Sequence, residues 1–156
     1  MTTREEAAKT ALIKKFGFLE NLVRIQRERR IFIDDAGQDF ERILDFASED
    51  LGFSVLCAIT GSDDGTRYEF IYHMARPKGD MLNIKIYTPR DGSRVKTITD
   101  KFPGAEIFER ELTDLLGVKI DGLGEGNRYP LSDDWPKGEY PLRKDWVKKD
   151  KKPEGK

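Results

Sequence analysis

The spacing of apolar and polar positions divides the chain into helical and extended segments. Thr3 and Glu6 have the spacing of a capping box, and Ala8, Leu12 and Phe16 follow as a thin apolar stripe. This predicts a helix to about Phe16, with Gly17 as its stop. Residues 22–26 and 30–33 read as short strands with partial alternation. Asp34 or Asp35 is placed to cap a second helix, whose stripe is Phe40, Ile43, Leu44, Ala47 and Leu51 and whose stop is Gly52. Residues 53–60 are apolar on both faces, the pattern of a central strand, which makes Cys57 a small buried filler. Residues 67–75 set Tyr68, Phe70, Tyr72 and Met74 against Arg67, Glu69, Ile71 and His73. Residues 81–88 alternate Leu82, Ile84 and Ile86 with Asn83, Lys85 and Tyr87. Turn chemistry at Gly61–Gly65 and at residues 76–80 joins these runs into an antiparallel meander. Ser93 is placed to cap a short helix carrying Val95, Ile98 and Phe102.

A last helix follows Pro103 and Gly104. Phe108, Leu112, Leu115 and Leu116 form its stripe, Glu109, Arg110, Glu111 and Asp114 its polar side, and Gly117 a left-handed stop. Beyond Gly117, prolines and glycines are frequent, yet Tyr129, Leu131, Trp135, Tyr140, Leu142 and Trp146 recur. A disordered linker rarely carries so many aromatics. The expectation is an α+β domain, a mostly antiparallel sheet covered by helices, over residues 1–120, and an extended, partner-wrapping C-terminal arm with a basic tail over 121–156. Burying a large apolar side chain stabilises by about 1.5–3 kcal/mol and ordering backbone costs about 1–2 kcal/mol per residue, so the two nearly cancel over residues 129–146. The arm is therefore expected to be loosely held alone and ordered against a partner.

Composition narrows the chemistry. Charged residues make up 37% of the chain, as do apolar ones, and the net charge is -1, which gives no general drive towards nucleic acid or anionic lipid. No apolar run approaches the roughly 20 residues that span a bilayer, and the first residues lack a signal-peptide core, so a cytoplasmic location is expected. One Cys, Cys57, excludes an internal disulfide, and with one His, His73, the chain cannot alone supply a Cys/His zinc site or a cysteine-held iron–sulfur cluster. No phosphate-binding glycine loop occurs. No cofactor and no catalytic residue are expected. His73 reads as a surface or edge histidine. Glu109 and Glu111 could be read as an acid/base pair in a small enzyme, but two residues apart on a helix they project differently. Their charges, with those of Arg110, suit ion pairs and hydrogen bonds to the arm or to a partner. From Arg143 onward, seven Lys or Arg stand against three Asp or Glu, which keeps an RNA-binding adaptor open as an alternative.

Two pieces of the chain carry a family resemblance. One is the helix with Glu109-Arg110-Glu111 and an Asp-Leu-Leu-Gly end at Asp114–Gly117. The other is the arm that follows, from Asp133-Asp134-Trp135 to Pro141-Leu142-Arg143-Lys144-Asp145. Together they resemble the 30 kDa subunit of NADH:quinone oxidoreductase (respiratory complex I). They also resemble the related subunit of membrane-bound [NiFe] hydrogenase complexes. The family's Gly-His-Pro-like step is replaced here by Gly122–Arg128, with Arg128 at the basic position. The resemblance implies the same α+β architecture. It further implies a non-catalytic peripheral-arm subunit, with no redox centre of its own, that stabilises the electron-transfer module. Its partners would be the large [NiFe]-hydrogenase-like subunit and the iron–sulfur small subunit, or their counterparts in complex I. Contact with the cytoplasmic side of the membrane would come only through the complex, and nucleic acid would not be a partner. The expected interface is Glu109, Arg110, Glu111, Asp114, Arg128, Trp135, Tyr140, Pro141, Leu142, Arg143 and Lys144.

Overall fold

The computed structural model describes residues 2–77 and 79–148. The basic tail beyond Lys148, one ground for the RNA-binding alternative, lies outside the described residues. Thr3 accepts the Glu6 amide at 3.2 Å, starting helix α1 (Arg4–Lys15), which buries Ala8 and Leu12. A 3-10 turn at Gly17–Asn21 buries Leu19 and leads into the hairpin β1 (Val23–Arg27) and β2 (Arg30–Ile33). The second helix does not begin at Asp34 or Asp35. Asp35 accepts the Gly37 amide at 2.9 Å, a 3-10 turn covers Gly37–Asp39, and α2 runs over Phe40–Glu49. Asp35 is thus used in a local turn, which delays the helix to the first residue of its apolar stripe.

Strands β3 (Val55–Asp63), β4 (Arg67–Ala75) and β5 (Met81–Pro89) form the antiparallel meander. The sheet order is β1-β2-β5-β4-β3, with β2 and β5 parallel and the other neighbours antiparallel. The strand expected at the centre, β3, is at the edge. Its register shifts between Leu56 and Ala58, and Cys57 is exposed rather than buried. A continuous apolar run suits a strand buried on both faces, but here the run bends through a bulge and only one face meets a helix. His73, expected at a surface or an edge, is on an interior strand, β4, and half-buried on the face away from the helices. Its Nε2 is 2.8 Å from Thr60 Oγ1 and its Nδ1 is 2.7 Å from Asn83 Oδ1, while Asn83 Nδ2 donates to the Ile31 carbonyl at 3.0 Å. A polar row therefore crosses four strands on the face away from Tyr68, Phe70, Tyr72 and Met74. Those four, with Leu82, Ile84, Ile31 and Ile33, build the core under α1, α2 and α3.

The short helix expected after Ser93 is absent. Arg94–Lys96 is a strand, β6, and α3 (Ala105–Leu116) is followed by a strand that the sequence pattern does not predict, β7 (Lys119–Asp121). The two pair in parallel. Val95 and Ile120 turn inward while Arg94 and Lys96 stay out, an alternation too short to read as a strand from sequence. Among the described residues no helix is long and apolar enough to cross a membrane.

Candidate partner-binding site

Helix α3 is set by its packing on both sheets. Ala105, Glu109, Leu112 and Leu116 are buried, so the inward stripe is rotated from the expected one, and Phe108 and Leu115 are only half-buried. Leu112 and Leu116 lie on Gly61 of β3. A Cβ there would overlap Leu112 Cδ2 and sit 2.8 Å from Leu116 Cδ1, so the glycine permits the close approach. Glu109 faces inward because the turn after β6 offers it donors. The Ile98 amide donates to Oε1 at 2.8 Å and the Thr97 hydroxyl to Oε2 at 2.6 Å. Burial pushes its carboxyl above the ordinary glutamate range, and the two hydrogen bonds offset this only in part. Glu109, 1% exposed, is thus a tie inside the chain rather than an interface residue or half of a solvent-facing acid/base pair. The apolar stripe alone could not reveal this, since nothing in it says that an amide awaits the carboxylate.

The arm is anchored at three places, contrary to the expectation that it is loosely held. Asp114, 7% exposed, accepts Arg128 Nε at 2.6 Å and the Leu131 amide at 2.8 Å, and Arg128 also donates to the Trp135 carbonyl at 2.8 Å. The end of α3 is the second anchor. The Leu115 carbonyl accepts the Leu142 amide at 3.1 Å, and the Leu116 carbonyl accepts Arg143 Nε at 2.7 Å and the Tyr68 hydroxyl at 3.2 Å. The carbonyls of a helix's last turn lack partners within the helix and favour a cation, and Arg143 supplies both needs. The third anchor is Asp63, buried at the end of β3. It accepts the amides of Lys144 at 2.9 Å and Gly65 at 2.8 Å and pairs with Arg90 at 3.0 Å. Burial alone would raise its carboxyl, but these donors outweigh it and the net displacement is downward. Arg90 also reaches Asp145 at 2.7 Å. The sequence pattern does not single out Asp63 or Arg90. The only signal for Asp63 is the Asp-Asp in the Gly61–Gly65 run, which equally suits a plain turn.

The two motif segments therefore meet. Gly117, with φ +75°, ends α3 directly beneath Tyr140 and Arg143, to which a Cβ would come within 2.6 Å. Tyr140 stacks on the Arg143 guanidinium at 4.4 Å. Trp135 and Trp146 lie ring against ring, centroids 5.8 Å apart, and Trp135 Nε1 donates to the Glu139 carbonyl at 2.9 Å. Arg110 is held by Glu106 at 2.8 Å and donates to the Gly124 carbonyl at 2.9 Å, so it orders the loop that replaces the Gly-His-Pro step. Glu111 and Pro141 are half-buried, and Lys144 is exposed, with Nζ on the Asp64 carbonyl at 3.1 Å. The chain also leaves apolar groups open. Leu142 is 50% exposed, and Ile107 and Tyr129, 45% and 43% exposed, line one groove of about 460 Å³ with Arg110 and Arg128. Among the described residues no three His, Cys, Asp or Glu gather as a metal site.

A helix-covered sheet with an arm tied to one helix end defines an α+β domain of mostly antiparallel strands. The chain belongs to the respiratory-chain NADH dehydrogenase 30 kDa subunit family, which matches residues 33–152. It is similar, at 34% identity over 90 residues, to the corresponding NADH-quinone oxidoreductase subunit of Moorella thermoacetica, covering 56% of this chain and 61% of that one. It is 32% identical over 82 residues to the beta subunit of the membrane-bound hydrogenase of Pyrococcus furiosus, covering 50% and 47%. The matches thus span about half the length of these relatives. Among solved structures, a chain of the membrane-bound sulfane sulfur reductase, an archaeal respiratory membrane complex, superposes with a TM-score of 0.78 at 27% identity, over 93% of this chain and 86% of that one. A trypsin-resistant fragment of Nqo5 shares the fold, with a TM-score of 0.62 at 20% identity over 80% of this chain and 100% of the fragment.

Proposed function

We propose that this chain is a non-catalytic peripheral subunit of a membrane-bound respiratory oxidoreductase of the complex I or membrane-bound [NiFe] hydrogenase type. In this reading it packs against the large [NiFe]-hydrogenase-like subunit, next to the iron–sulfur small subunit, on the cytoplasmic side. It meets the membrane only through the complex. The observation that carries the reading is the likeness, over 93% of the chain, to a chain of a respiratory membrane complex. One Cys and one His are too few to hold an iron–sulfur cluster or a nickel site alone, so electrons would pass through neighbouring subunits. The arm supports the same reading. Its polar anchors are used within the chain, which leaves Leu142, Tyr129 and, across the groove, Ile107 as exposed apolar contacts for a partner.

The test is co-purification. An affinity-tagged full chain, recovered from gently solubilised native membranes, should bring with it the hydrogenase-like large subunit and the iron–sulfur subunit in equal amounts, as read by mass spectrometry. Recovery of the chain free of oxidoreductase subunits would overturn the proposal.

A further inference from the structure

We propose that a cationic pocket beside the end of α3 receives a carboxylate side chain of the partner subunit. The inference rests on the reading of the chain as a subunit and names the chemistry of one contact in it. The cavity, about 390 Å³, is lined by four cations, Arg90, Arg94, Lys119 and Arg143, and one carboxylate, Asp91, with Gly117 beside them. Such a concentration of one sign is unexpected on a chain whose net charge is -1.

Two of the cations are already committed. Arg94 is held by both oxygens of Asp121, at 3.0 and 2.6 Å. Arg90 lies between Asp63 and Asp145, at 3.0 and 2.7 Å, and the further negative charge there is met by Lys144. The other two cations are available. The Lys119 side chain makes no hydrogen bond or ion pair among the described residues, and its charge acts only as one of the influences that keep Asp121 ionised. Arg143 uses Nε on the Leu116 carbonyl, while its two terminal nitrogens carry no hydrogen bond among the described residues. Its guanidinium is nevertheless fixed, with Tyr140 stacked on its plane at 4.4 Å and Gly117 against its edge. A fork held at its root and on its face, whose terminal nitrogens have no hydrogen-bond partner among the described residues, is preorganised for a planar carboxylate.

The balance of free charge selects the ligand. Lys119 and Arg143 against Asp91 leave one positive charge, which suits a single carboxylate. A doubly charged phosphate would meet Asp91 uncompensated. The site is also assembled by the arm itself, since Arg143 belongs to it, so the pocket exists only where the arm is seated on α3. A partner carboxylate in this pocket would hold the arm down and the partner on at once.

The experiment has two arms. In the isolated full chain, followed by amide NMR at matched ionic strength and pH, acetate should produce saturable shifts at Gly92, Gly117 and Lys119. Lys119→Ala should weaken that response about tenfold, the usual effect of losing one charge-assisted hydrogen bond, and Asp91→Asn should strengthen it. No saturable shift, an unchanged response in Lys119→Ala, or tighter binding of inorganic phosphate than of acetate would overturn the carboxylate assignment. In the second arm, Lys119→Glu is expressed in native cells in place of the wild-type chain. It should keep its circular dichroism spectrum and unfolding midpoint and lose most of its co-purification with the oxidoreductase subunits. Normal recovery of the complex with Lys119→Glu would overturn the inference and leave the proposed function standing. Failure of the wild-type chain to recover those subunits is the separate result that removes the proposed function itself.

Discussion

Glu109 is the residue where local pattern and tertiary need diverge most. It is charged, yet it sits where an apolar residue would, because the Ile98 amide and the Thr97 hydroxyl require an acceptor. Leaving that amide without a partner costs about 1–3 kcal/mol, so Glu109→Ala should lower stability by that amount beyond the loss of packing. The pH dependence has a definite sign. The carboxyl is raised on folding, so its contribution is complete below the ordinary glutamate range and is lost as pH rises through its folded value. Asp63 and Asp121 are lowered, and their contribution is lost as pH falls. In urea unfolding from pH 2 to 8, Glu109→Gln should therefore gain on the wild type as pH rises through the raised Glu109 value, while both lose stability at the acid end, below the ordinary aspartate range. Parallel curves would show that Glu109 is not strained by burial. Gly117 offers a second test. Its positive φ costs an L residue about 1–2 kcal/mol, and a methyl group would also push on Tyr140 and Arg143. Gly117→Ala should exceed that backbone cost in urea unfolding and expose Tyr140 to solvent in its fluorescence or NMR signals.

At the scale of elements, α3 joins the parts of the molecule. One side meets β3 through Leu112 and Leu116, one meets the turn after β6 through Glu109, and its end meets the arm. Leu112→Ala would remove a side chain that is 3% exposed and leave a cavity above Gly61, at a cost of about 2–5 kcal/mol by chemical denaturation. Leu115→Ala should cost clearly less, because that residue is only half-buried. Equal effects would mean that the helix is rotated from the orientation described. The edge strand β3 depends on this same packing. Its outer edge has no neighbouring strand among the described residues, and the bulge at Cys57 interrupts the regular ladder, a feature that discourages pairing with other chains.

For the molecule as a whole, the arm is part of the fold, and in the proposed function it is also a contact for a partner. Removal of the residues after Gly126 would strip partners from Asp63 and Asp114, each 7% exposed, and from the Leu115 and Leu116 carbonyls. A buried carboxylate that loses its partners costs several kcal/mol. The truncated chain should thus unfold at clearly lower urea than the full chain, and it should fail to join the complex. Hydrogen exchange supplies the finer readout. In the free chain the amides of Leu131, Leu142 and Lys144 should be protected, since each donates to a buried or helix-end acceptor, while the exposed residues 132–134 exchange quickly. Uniformly fast exchange across the arm would show that it is seated only by a partner.

Much of this architecture follows from local pattern. The N-cap at Thr3, the stripe of α2, the alternation of β4 and β5 and the left-handed stop at Gly117 are short-range properties, set by backbone sterics and by which side chains avoid water. The α+β class, the antiparallel meander and the family resemblance in the Glu-Arg-Glu helix and the Pro-Leu-Arg-Lys-Asp arm were legible for that reason. Three features were not legible, because each is decided by residues far apart in the chain. The β3 strand lies at an edge because β2 inserts beside β5 in parallel, a choice made by packing across some fifty residues. The β6–β7 pair replaces a helix because a three-residue strand has no signal until its partner arrives. The arm is held by Asp63, Asp114 and the last carbonyls of α3, acceptors whose burial exists only in the folded chain. A sequence shows which groups can hydrogen-bond, and only the tertiary structure, by removing some of them from water, decides which of those bonds must be made.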